Sequence, residues 1–191
     1  MFSLQTIFGK GDKFYGLLEA SADAALLSAR ALGTMLADKS ETPALDEFRV
    51  ARRREKELFA QINQELVNTF VTALEREDIE ALAGALYKIP KTVEKFAERY
   101  ALFADRLTDI DYSSQAAMLA RASEVIVNMV GELRKGFKLD VMHALNERMQ
   151  SIESEADRQL LDLYRDLCAD QAYAGKLMVR KDLFELLEKA I

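Results

Sequence analysis

Asn68-Thr69-Phe70-Val71-Thr72-Ala73-Leu74-Glu75-Arg76-Glu77-Asp78-Ile79 decides how this chain folds, because a helical apolar pattern runs up to it, stops and restarts. Before it, Leu45, Phe48, Ala51, Phe59, Ile62 and Leu66 fall on one helical face. After it, Ile79, Leu82, Leu86, Ile89, Val93, Phe96, Tyr100, Phe103, Leu107 and Ile110 continue at three- and four-residue steps. Such spacing places apolar side chains on one stripe of a helix. Thr72, with Glu75 three residues on and acidic side chains in the next turn, fits a helix start, where free N–H groups need acceptors. The stretch therefore predicts two long helices folded back on each other.

The rest of the chain repeats that pattern. A first helix is expected from about Asp12 to Asp38, with the stripe Leu18, Ala22, Ala25, Ala29, Leu32 and Leu36. Alanine at contact positions lets neighbours approach closely and predicts a central place in a bundle. Lys39-Ser-Glu-Thr-Pro43 is a break, since proline restricts the residue before it and suits a helix start. The polar run Thr108-Asp-Ile-Asp-Tyr-Ser-Ser114 predicts a turn, with Ser113 or Ser114 capping a fourth helix closed by Gly136. Its stripe is Leu119, Ala122, Ile126, Met129 and Leu133. A fifth helix follows from about Lys138 to Asp170, and a sixth from near Ala174 to the end, carrying Val179, Leu183, Leu186 and Ala190.

Composition excludes several classes. At 191 residues the chain is long enough for a sizeable core, and its apolar residues are spread periodically. No run approaches the length of a membrane span, and Met1-Phe2-Ser3-Leu4 lacks a signal-peptide pattern. Cys168 is the only cysteine, which excludes an intrachain disulfide and reads as an apolar filler. These features point to the cytoplasm. A net charge of −6 argues against nucleic acid as partner. His143 is the only histidine, so the paired Glu-x-x-His pattern of di-metal helical oxidases is out of reach. No glycine-rich phosphate loop or nucleophile elbow is present, and no serine is singled out.

Arg76-Glu-Asp-Ile-Glu-Ala-Leu-Ala resembles Arg180-Lys-Asp-Leu-Phe-Glu-Leu-Leu, so the third and sixth helices open alike. The expected architecture is all-α: one domain over 1–191, built from two three-helix units at about 12–110 and 113–191, the last helix short. Thr69-Phe70, the following Arg76-Glu-Asp-Ile79 and then Leu82-Ala83 resemble the corner between helices two and three of the PhoU-like family. Phe8-Gly-Lys-Gly-Asp-Lys-Phe14 and Ile152-Glu-Ser-Glu-Ala-Asp157 resemble its branch of small regulators associated with Pit-type phosphate transporters. The likeness runs over nearly the whole chain and implies the same duplicated layout.

Glu153 and Asp157, four apart, share one helical face. The resemblance implies that this Glu-x-x-x-Asp motif holds a divalent cation, such as iron or zinc, at the second unit, with Glu188 on helix six as partner. The carboxylate four beyond Glu188 does not exist in this sequence, which ends at Ile191. In the first unit the family's carboxylate positions fall on Arg52 and Lys56, and on Tyr87, Lys88 and Lys91. Ammonium and guanidinium groups offer donors only, so no metal site is expected there. Pro90 in the same turn is expected to kink helix three. Arg52, Lys56, Lys88 and Lys91 are instead candidates for binding an anion, phosphate included. Interleaved Glu55, Glu57, Glu94 and Glu98 also fit an ordinary exposed mixed-charge face.

The resulting expectation is a non-enzymatic regulator or accessory protein of inorganic phosphate transport. By resemblance it works peripherally to the membrane, through helix-face contact with a Pit-type transporter. Two other readings remain: a carboxylate-only metal-dependent helical enzyme, or a helical scaffold that has lost the family function. The residues leave the oligomeric state open, a homo-oligomer included.

Overall fold

A computed structural model describes residues 4–37, 45–72, 74–107, 110–169 and 174–191, with side chains placed from Lys13 onward except at 163, 166–169, 174 and 176. Among the described residues there are six α-helices and no strand. They are α1 (Leu4–Ala37), α2 (Asp46–Asn68), α3 (Arg76–Phe103), α4 (Ser113–Arg134), α5 (Leu139–Ala169) and α6 (Ala174–Glu188), with a 3₁₀ turn at Ala104–Arg106. The all-helical class and the number of long helices match the sequence pattern. The Lys39–Pro43 break and the Cys168 side chain lie outside the described residues. No described helix is long and apolar enough to cross a membrane.

Helix α1 begins at Leu4, well before the expected Asp12. Leu18, Ala22, Ala25, Ala29 and Leu32 are buried, as their spacing predicts, and so are Phe14, Ser21, Ala24, Ser28 and Met35. Those positions wrap more than one face, because α1 packs against α2, α3 and α4. Its small residues admit α4 closely. Two ion pairs flank that contact, Arg134–Glu19 at 2.8 Å and Arg30–Glu124 at 3.0 Å.

Three apolar clusters fill the bundle. One gathers Phe14, Leu18, Ile62, Leu66, Ile79, Leu86 and Val130 where α1, α2 and α3 meet the end of α4. A larger one joins the far halves of α1 and α3 to α4 and α6, through Leu32, Val93, Phe96, Leu119, Leu183 and Leu187. Rings interlock inside it, with Tyr112 against Phe96 at 5.5 Å and against Phe184 at 4.9 Å. The third holds α5 to α4 through Met118, Ala122, Val125, Ile152 and Ala156. Each such side chain taken from water contributes on the order of 1.5–3 kcal/mol for the larger aliphatics.

Helix ends correct several expectations. The apolar stripe runs to Ile110, yet α3 stops at Phe103, and Leu107 reaches the core from beyond the 3₁₀ turn. Helix α3 continues through Pro90, which is buried. Thr72 does not cap it: Glu75 holds the cap position without a side-chain bond, and the Thr72 hydroxyl donates to the Leu74 carbonyl. Neither Ser113 nor Ser114 is a cap; both lie inside α4, and the Asp111 carboxylate accepts from the Ser113 N–H at 2.8 Å. Gly136 does close α4, at φ 92°, with the Phe137 N–H bonded to the Glu132 carbonyl and the Gly136 N–H to that of Leu133. That pairing is the Schellman arrangement, whose left-handed residue suits glycine.

Candidate functional site

Helices α2 and α3 run antiparallel, and the residues one step off their buried stripes face each other. Arg52, mostly buried, sits with its guanidinium 4.0 Å above the Tyr87 ring. It donates through Nη2 to the Tyr87 hydroxyl oxygen, and its Nε lies 3.8 Å from Glu94. Lys91, one turn on from Tyr87, carries its ammonium 5.9 Å from the same ring centre. Phe59 packs on Tyr87 from α2, with ring centres 4.9 Å apart. The Arg52 Nη1 atom is buried and has no hydrogen-bond partner.

Electrostatics follow from that placement. The Arg52 hydrogen bond holds the Tyr87 phenol below the usual tyrosine range; partial burial opposes this, while the charges of Arg52, Lys91 and Lys56 add to it. Glu94 is pushed above the usual glutamate range, chiefly by burial and then by Glu98, against Arg52 and Arg49. Of the four cations singled out in the sequence, Arg52 and Lys91 stand near the Tyr87 ring, and Lys56 acts on its phenol by charge alone. Lys88 is exposed and is not among the cations acting on Tyr87.

Tyr87, read in the sequence only as standing where the family has a carboxylate, is the hub of this cluster. The signal was its spacing: Tyr87, Lys91 and Glu94 fall at i, i+4 and i+7 on α3, one face of a helix. Glu55 corrects the expectation of a solvated charge face. It is fully buried, accepts a hydrogen bond from Ser21 on α1, and leaves Oε2 without a partner. Burial raises its pKa above the ordinary glutamate value, against the Ser21 bond and the charges of Arg52 and Arg54. Its position was readable: Phe48, Arg52, Glu55, Phe59 and Ile62 follow one helical face, so a residue at 55 points inward.

Helices α5 and α6 present a different arrangement. Glu153 and Asp157 are both exposed on α5, turned off the face that buries Ile152 and Ala156. Glu188 on α6 is half-buried and lines a narrow cleft with Ala156, Gln159, Leu160, Phe184 and Ile191. Among the described residues, no three histidine, cysteine or acidic side chains gather closely enough to hold a metal ion. Nearby polar contacts are neutral: Gln159 accepts from Gln115 at 2.8 Å and donates to Ser114 at 2.9 Å. On the other flank, Tyr164 donates to Glu185 at 2.8 Å, and Lys181 pairs with the same carboxylate at 2.6 Å. His143 is exposed on α5, 3.6 Å from Glu147.

No protein-family model matches this chain, and no curated protein matches it.

Proposed function

We propose that this chain is a non-enzymatic, cytoplasmic accessory protein of inorganic phosphate transport, built as a PhoU-like pair of three-helix units. The observation that carries the reading is the packing order. Helices α1, α2 and α3 contact one another, α4, α5 and α6 contact one another, and the two sets meet through α1 on α4 and α3 on α6. That pairing of first with first and third with third is what a duplicated unit produces when its copies pack about a common axis. The similar openings at Arg76-Glu-Asp-Ile and Arg180-Lys-Asp-Leu support it, as does the resemblance of the Thr69–Ala83 corner.

The working contact in this reading is a helix face against a Pit-type transporter, so the chain is peripheral to the membrane through a protein. Affinity purification of the tagged chain from detergent-solubilised membranes tests it. Specific enrichment of a phosphate transporter over a tagged control is the expected result. Equal recovery in both samples would count against the proposal.

A further inference from the structure

The cations between α2 and α3 do more than decorate a mixed surface. Ordinary surface pairs neutralise each other one to one, whereas here the charges of Arg52, Lys91 and Lys56 all act on one phenol, and the Arg52–Glu94 pair is 3.8 Å apart, beyond hydrogen-bond length. Tyr87 accepts from Arg52, which leaves its own O–H proton available to an outside acceptor. Arg52 Nη1 is buried and has no hydrogen-bond partner; leaving such a donor unbonded costs free energy, and an anion reaches it once the guanidinium turns outward. Two lysines, both exposed, stand beside these donors on opposite helices, Lys56 on α2 and Lys91 on α3. What the cluster lacks is a compact, multiply charged acceptor.

We propose that the α2–α3 face around Tyr87 binds a small tetrahedral oxyanion, inorganic phosphate in particular, through Arg52, Lys56, Lys91 and the Tyr87 hydroxyl. Glu94 sets the selectivity. At neutral pH inorganic phosphate still carries a proton that it can donate to a carboxylate, whereas sulfate carries none and is repelled by one. Arg52 bridges the phenol and Glu94, so donors and a carboxylate acceptor meet at one guanidinium. This site stands on its own geometry and does not require the transporter contact; failure to co-purify a transporter would leave it untouched, and the reverse also holds.

Calorimetric titration of the full chain with inorganic phosphate, and separately with sulfate, at constant chloride ionic strength tests the assignment. Saturable phosphate binding is expected, weakened about tenfold or more in Lys56→Gln/Lys91→Gln by the loss of two charges. Lys138→Gln removes an exposed lysine in the turn between α4 and α5, outside the α2–α3 face, and should leave affinity unchanged. Sulfate should bind about fivefold or more weakly than phosphate, and Glu94→Gln should bring the two towards parity. The lysine variants lie on the surface, and unchanged melting temperatures would certify their fold. No saturation by phosphate, or equal weakening by Lys138→Gln, would overturn the site. Equal affinity for sulfate and phosphate in the unaltered chain would overturn the role given to Glu94.

Discussion

At the scale of single residues, the buried Glu55 has the clearest consequence. Its folded-state pKa is raised by burial, so between the ordinary and the raised value the folded chain holds a proton that the unfolded chain has already released. The stability tied to that proton is complete below the ordinary glutamate pKa and is lost as pH rises through the raised value. Glu55→Gln keeps an acceptor for Ser21 and removes the titration. It should be more stable than the parent at pH 8, by on the order of 1 kcal/mol, and lose that lead towards pH 4. Urea unfolding at the two pH values measures this; a parent more stable at pH 8 would refute it. The two tyrosines show how a partner sets the sign of a shift. Tyr87 accepts from a guanidinium and is pulled down, while Tyr164 donates to the Glu185 carboxylate and is pushed up.

Helix termini govern the next level. Arg76, the first residue of α3, donates to the carbonyls of Leu66 and Thr69, closing the end of α2 with the start of its neighbour. Charge-assisted bonds of this kind are worth about 1.5–3 kcal/mol, so Arg76→Ala should lower unfolding free energy by roughly that amount. A loss under about 0.5 kcal/mol would show the contact to be idle. Glycines offer a paired test. A Cβ at Gly136 meets open space, but its φ of 92° strains any other residue, so Gly136→Ala should cost about 1 kcal/mol. Gly84 also has open space and lies within α3, so Gly84→Ala should stabilise by about 0.5–1 kcal/mol. Thermal melts of the two variants moving in opposite directions is the expected result.

These ends also mark how far the sequence could be read. Stripes such as Leu18–Leu32 and Ile79–Phe96 report burial directly, because a 3.6-residue period and a one-sided core are the same constraint. Caps were misread at Thr72 and Ser113, since several neighbouring polar residues compete for one role and only backbone geometry chooses among them. The cation cluster was legible as residue types, but not its centre. Tyr87 becomes a hub only once α2 lies against α3 and Arg52 folds over its ring.

For the molecule as a whole, α1 is the spine. Ala22, Ala25 and Ala29 are fully buried where it passes between its neighbours, and a larger side chain there must push a whole helix away. Ala29→Leu should cost about 1–3 kcal/mol through overpacking, read as a lower denaturant midpoint. Unchanged stability would mean that the helices are not closely set. The helices also differ in the charge they present: cations about Tyr87 on α2 and α3, and exposed Glu153 and Asp157 on α5. The proposed role of this bundle is in phosphate uptake. Initial rates of labelled phosphate uptake, in matched cells with and without the chain, test it most directly. Removing the chain should change uptake where the Pit-type transporter is present and leave it unchanged where the transporter is deleted. Identical uptake with and without the chain, transporter present, would contradict the account.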